Sequence, residues 1–127
     1  MYEVNICHHF NFDIHKVFAG ISQHEEFLST SSIRCRVTRS SHPNPNGLSA
    51  LREVRNGPLV FEEAITLYEA PKAYEYRILS LRGPFGWKIP FQHPHGRIEL
   101  AEHEGRTEVR WISRFHFQIP LIGQWLD

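Results

Sequence analysis

The stretch from Leu51 to Leu81 constrains the chain more than any other. It reads as three antiparallel strands joined by two tight turns. Asn56-Gly57 marks the first turn, because both residues readily reach the positive φ that a two-residue hairpin loop requires. Ala70-Pro71 marks a second, weaker one. With Asn56 and Gly57 at the tip, Arg55 faces Pro58, Val54 faces Leu59 and Arg52 faces Phe61. With Ala70 and Pro71 at the next tip, Leu67 faces Tyr74, Ile65 faces Tyr76, Glu63 faces Ile78 and Phe61 faces Ser80. Opposed residues share a face, and faces alternate along a strand. One face therefore carries Arg52, Val54, Leu59, Phe61, Glu63, Ile65, Leu67, Tyr74, Tyr76, Ile78 and Ser80. The other carries Glu53, Arg55, Glu62, Thr66, Glu75 and Arg77, and is solvated.

The first face is apolar and aromatic apart from a few polar groups. Arg52 and Glu63 lie diagonally across one strand pair in this register, within reach of long side chains. They form either a structural ion pair at the sheet margin or a polar anchor inside a pocket. A charge buried without its partner costs roughly 3–5 kcal/mol. If both are inside, they must meet each other, water or a ligand.

Before this block, Tyr2, Val4, Ile6, His8 and Phe10 alternate with polar residues and Cys7, which predicts a first strand with one apolar face. Asp13 reads as a helix N-cap. Ile14, Val17, Phe18 and Ile21 follow with helical period. A second helical turn is expected over Gln23 to Leu28, burying Phe27 and Leu28. Ile33 to Arg39 reads as a strand with Ile33, Cys35 and Val37 on one side. Residues 40–47 form a loop by composition.

After Leu81, glycines and prolines interrupt regular structure as far as Pro94. Phe85, Trp87, Ile89 and Phe91 in that loop need something to pack on. The loop is either a lid over a cavity or a segment folded onto its own domain or a partner subunit. His95 to His103 and Arg106 to Gln118 then form a hairpin tipped at Glu104-Gly105. Leu100 faces Val109, Ile98 faces Trp111, Gly96 faces Ser113 and, on the outside, Glu99 faces Arg110. The inner face adds Ile98, Leu100, Thr107, Val109, Trp111, Ser113, Phe115 and Phe117. Pro120 to Asp127 reads as the entry to another helix.

At 127 residues the chain is one domain, 41% hydrophobic and 22% charged, as expected of a soluble globular protein. Fourteen basic residues balance fourteen acidic ones, which argues against a nucleic-acid-binding surface. No apolar run approaches the ~20 residues that span a bilayer, and no signal peptide is visible. Two cysteines, Cys7 and Cys35, give no disulfide framework, so a reducing, cytoplasmic setting is expected. Nine histidines are the one unusual count.

Several stretches, in order along the chain, resemble the SRPBCC superfamily, the helix-grip proteins that include Bet v 1-like allergens, START domains and bacterial polyketide cyclase/dehydrase-like proteins. They are Asp13-Ile14-His15-Lys16-Val17-Phe18 after the opening strand, Gly47 to Val54, Phe61 to Thr66, Ala70 to Tyr76, and Gly105 to Trp111 followed by Phe115 and Pro120. The resemblance implies an α+β fold over residues 1–127. Its seven-stranded curved antiparallel sheet carries two short N-terminal helices and grips a long C-terminal helix, with an apolar cavity between. That last helix would start near Leu121. It would run for ~20 residues, about 30 Å, so it is incomplete at Asp127. Without it, an uncovered concave face invites homodimerisation.

An apolar pocket with a few convergent polar groups is the usual form of a small-molecule site. The expected ligand-binding set is Arg52, Val54, Phe61, Glu63, Ile65, Tyr74, Tyr76, Ile78, Ile98, Trp111, Ser113 and Phe115, with Trp87 from the loop. Three functions are open. One is a binding module for a small hydrophobic molecule, whether lipid, aromatic or polyketide-like. Another is a cyclase/dehydratase-like enzyme with Glu63, Tyr76 and Arg52 in the proton-handling and anchoring roles. The third is an interaction protein whose pocket is filled. His93 and His95 share one face of an extended segment, but no third ligand, His42 or His116 included, is demanded by position, so no metal is expected. No phosphate loop or nucleophile elbow occurs, and no cofactor is expected.

Overall fold

The computed structural model describes residues 2–29, 33–92 and 95–117, with residues 2, 4, 26, 91 and 115–117 described by backbone alone. The chain runs β1 (Tyr2–Phe10), α1 (Ile14–Ile21), α2 (His24–Leu28), β2 (Ile33–Arg39), β3 (Leu51–Asn56), β4 (Leu59–Glu69) and β5 (Ala73–Arg82). A single 3-10 turn (Pro84–Gly86), β6 (Phe91–Gln92), β7 (Gly96–His103) and β8 (Arg106–Phe117) follow. Seven strands form one antiparallel sheet in the order β1-β8-β7-β5-β4-β3-β2, and the two-residue β6 pairs with the end of β8. No helix of the described residues is long and apolar enough to cross a membrane.

The helices cover one end of the sheet's inner face. Asp13 caps α1 by accepting the Lys16 N–H at 3.0 Å, and Glu102 of β7 accepts the Ile14 N–H at 2.7 Å. Val17, Phe18 and Ile21 then pack on Ile65, Tyr74, Ile98, Leu100 and Val109 to make the core. The strand β1 brings Ile6, His8 and Phe10 to the same face, opposite Trp111, Val109 and Thr107.

The registers sharpen the sequence reading. The β7–β8 hairpin pairs as expected, with Leu100 on Val109, Ile98 on Trp111 and Gly96 on Ser113. Glu104 and Gly105 at its tip both have positive φ, 52° and 75°. The β3–β4 turn moves on by one residue. Asn56 pairs with Leu59, leaving Gly57-Pro58 as the loop. A tip at Asn56-Gly57 would need a Pro58 N–H to close it, and proline has none. Faces are unchanged, but Arg52 now stands directly opposite Glu63 and Val54 opposite Phe61.

In the β4–β5 pair the expected Ile65–Tyr76 and Glu63–Ile78 partners meet, whereas Leu67–Tyr74 and Phe61–Ser80 do not. At the turn, Lys72 donates to the Glu69 carbonyl at 2.7 Å, but its own carbonyl accepts from Leu100 N–H, so Ala73 pairs with Glu69 instead. Bulges at Thr66 and Leu79 shift the register twice. They put Tyr68 and Leu81 on the inner face in place of Leu67 and Ser80. Each bulge also bends and twists its strand, which helps curl the sheet. In α2 the expected burial of Phe27 fails. Phe27 is exposed, and His24 is buried in its place.

Candidate functional site

Arg52 on β3 and Glu63 on β4 are held opposite one another on the concave face. They are 2% and 6% exposed, and the guanidinium Nε donates to Glu63 Oε1 at 2.7 Å. His24, the first residue of α2, reaches down on the pair. Its Nδ1 lies 3.2 Å from Arg52 Nη1, and its Nε2 lies 3.0 Å from the Asn46 carbonyl. A guanidinium only donates, so Nδ1 accepts and the proton sits on Nε2, which donates to Asn46. Burial, with the Arg52 charge adding to it, pushes the His24 pKa down to about 3. Burial works against the Arg52 charge, but Glu63 and the phenols of Tyr74 and Tyr76 outweigh it and raise its pKa.

Two tyrosines of β5 wrap the guanidinium. Its Cζ is 4.7 Å from the Tyr76 ring centre and 5.9 Å from that of Tyr74. The Tyr76 hydroxyl accepts from Trp111 Nε1 at 2.8 Å. Its ring lies on the backbone of Gly96, where an added Cβ would fall 2.2 Å from the ring. Burial first, and the Glu63 charge second, push the Tyr76 phenol up to about 12. Tyr74 meets His24 edge-on at 5.0 Å. Its hydroxyl lies near Arg52 but reaches no partner with hydrogen-bond geometry among the described residues, and burial raises its pKa. Ser113 is buried on β8 opposite Gly96.

The residues expected to line a site therefore divide. Arg52, Glu63, Tyr74, Tyr76 and Ser113 form a buried polar floor. Ile65 and Ile98 belong to the packed core beneath α1. Val54, Phe61, Ile78 and Trp111 are half-buried on the same concave face, and beside them Ile6 and Phe10 of β1 remain 40% and 37% exposed. Trp87 does not pack on the sheet. It is 73% exposed and its neighbour Phe85 is 96% exposed, the latter with φ +61°. The Phe115 side chain, His93 and the helix expected near Leu121 lie outside the described residues.

Sequence reasoning missed His24. A partial signal was present, since His24 stands at i+7 and i+3 from Val17 and Ile21 in sequence, although α1 ends at Ile21 and Gln23 breaks the helical path before His24 opens α2. A polar residue on an apolar stripe is the mark of a side chain that must find buried partners.

No family model and no curated protein matches the sequence. Solved structures do match. A START superfamily protein from Mycobacterium smegmatis superposes with a TM-score of 0.68 over 98% of this chain and 86% of its own, at 9% identity. A protein from Nitrosospira multiformis gives 0.66 over 97% and 84%, at 15% identity. The structure of Ara h 8.0201 gives 0.64 over 92% and 79%, at 13% identity. The chain has the helix-grip fold of the Bet v 1-like and START proteins. At such identities the likeness is one of fold. Within this helix-grip frame the ion pair sits on the concave side of the sheet. The open apolar row runs alongside it.

Proposed function

We infer that the chain binds a small hydrophobic molecule, of lipid, aromatic or polyketide-like character, against its concave face. The ligand's body rests on Val54, Phe61, Ile78 and Trp111, and its polar end points to the floor around Tyr76 and Ser113. A helix beginning near Leu121 is the proposed cover. The observation that carries this reading is the half-buried apolar row ending on a buried, mutually neutralised ion pair. Apolar walls with a few oriented polar groups are what a small-molecule site requires. A reducing, cytoplasmic setting goes with it, on the two free thiols.

Two details favour binding over turnover. The Glu63 carboxylate is already engaged by Arg52 at 2.7 Å, and the Tyr76 phenol is held near 12. So high a value keeps the phenol from exchanging protons near neutral pH, and the carboxylate is occupied by its guanidinium partner. The exposed Phe85 and Trp87 support a second reading, in which the turn that carries them is a contact surface for another protein.

Mass spectrometry of material extracted from the purified chain tests the first reading, together with titration by an anilinonaphthalene sulfonate probe. Saturable one-to-one probe binding is expected, and Ile78→Ala, which removes apolar contact without adding a charge opposite Glu63, should weaken it by about tenfold, some 1.4 kcal/mol. Finding no extracted ligand and no saturable binding would sink it.

A further inference from the structure

The outer face of the β1–β8 pair carries a thiol, an imidazole and a carboxylate that the concave site does not use. Cys7 and His9 are two residues apart on β1 and so share a face. Glu108 stands directly opposite His9 on β8. The Cys7 thiol donates to Glu108 Oε1 at 3.3 Å, and His9 Nε2 lies 3.8 Å from Glu108 Oε2. One ligand atom from each residue can be chosen so that all three lie within 4.8 Å of one another. Around a tetrahedral zinc with bonds of about 2.0–2.3 Å, ligand atoms stand roughly 3.3–3.8 Å apart. Small side-chain rotations close that difference. Cys7 and His9 are exposed, so an ion has a path in. An exposed free cysteine is itself unusual, since the type is among the most buried.

We propose that Cys7, His9 and Glu108 form a zinc-binding site whose fourth position is open to water or a further ligand. On binding, the Cys7 thiol proton leaves to solvent. The thiolate and carboxylate then set two negative charges against the dication, and neutral His9 supplies the third bond. Arg110 is the group that opposes the ion, with its Nη2 2.8 Å from Glu108 Oε1. It is exposed, and Glu99 of β7 stands directly opposite it. Although Arg97 already donates to Glu99 at 2.9 Å, that carboxylate has acceptor sites for a second guanidinium. Arg110 can turn to it when a metal takes Glu108.

The test uses the reduced, tag-free chain titrated with cobalt(II) and then zinc(II). A thiolate-to-cobalt charge-transfer band is expected, and zinc should displace it. The band should vanish in Cys7→Ser and persist in Cys35→Ala. His9→Ala and Glu108→Gln should each weaken binding, and Arg110→Gln should tighten it. Zinc should also protect Cys7 of the unaltered chain from alkylation, a readout that needs no variant. The absence of a charge-transfer band, its survival in Cys7→Ser, or full affinity in both His9→Ala and Glu108→Gln would overturn the assignment.

Discussion

Arg52 and Glu63 face each other squarely across β3 and β4, with a 2.7 Å hydrogen bond between two side chains that water scarcely reaches. The guanidinium also donates to His24 and lies against the Tyr76 ring. Each charge is thus satisfied inside the protein. In such a pair the desolvation penalty and the mutual attraction nearly cancel, whereas removing one member strands the other.

Single and double replacements should therefore behave very differently. Arg52→Met or Glu63→Leu alone should each cost about 3–5 kcal/mol in urea unfolding. Arg52→Met also leaves His24 Nδ1 without its donor. The double variant should unfold within about 2 kcal/mol of the original chain. Strictly additive losses would show that the two charges do not depend on each other.

His24 makes stability depend on pH. In the folded chain its pKa is about 3, while the unfolded ring titrates near 6.5. Between those values the unfolded chain holds a proton that the folded chain lacks. Acidification therefore favours unfolding. The His24 contribution is whole above about pH 6.5 and is lost as pH falls towards 3, at up to about 1.4 kcal/mol per pH unit. His24→Gln retains an acceptor for Arg52 and a donor for Asn46 but cannot titrate. Its unfolding free energy should fall less steeply than that of the original chain between about pH 7 and pH 5. Equal slopes would assign the acid sensitivity to other groups.

Much of the sheet was legible because turn chemistry is local. Glu104-Gly105 fixes the β7–β8 register by itself. The β3–β4 tip was misread for an equally local reason, the missing Pro58 N–H, yet a slip that preserves parity leaves every side chain on its face. The middle of β4–β5 came out right by compensation. The pairing of Ala73 with Glu69 shifts the register by one, and the Thr66 bulge shifts it back before Ile65 meets Tyr76. Bulges follow from how neighbouring strands compete for carbonyls, as Leu100 does for Lys72, and no pattern within β4 encodes that. The contact of His24 with Arg52 is tertiary in the same sense. The spacing from Val17 and Ile21 points to position 24, but the helix breaks before it, and only the fold shows that His24 is buried and what it meets.

The two thiols should react in sequence. Cys7 is exposed, whereas Cys35 is buried and burial pushes its thiol up to about 11. Alkylating and disulfide reagents attack through the thiolate. One equivalent should react in the native chain, at Cys7 by peptide mapping, and a second only in denaturant. Prompt native labelling of Cys35 would mean that the β2 edge opens readily.

Gly96 is demanded by a ring. The Tyr76 side chain lies on the β7 backbone there, and an alanine Cβ would fall 2.2 to 2.6 Å from its Cζ, Cε1 and Oη. A locked aromatic ring cannot yield as a flexible side-chain end would, so Gly96→Ala must displace it. Overpacking of this kind costs about 1–3 kcal/mol. Displacement should also break the bond from Trp111 Nε1 and alter Trp111 emission. The loss should be strongly non-additive with Tyr76→Leu, since the smaller side chain vacates the space that the new methyl needs. If Gly96→Ala costs the same in both backgrounds, the ring is not what excludes a side chain at position 96.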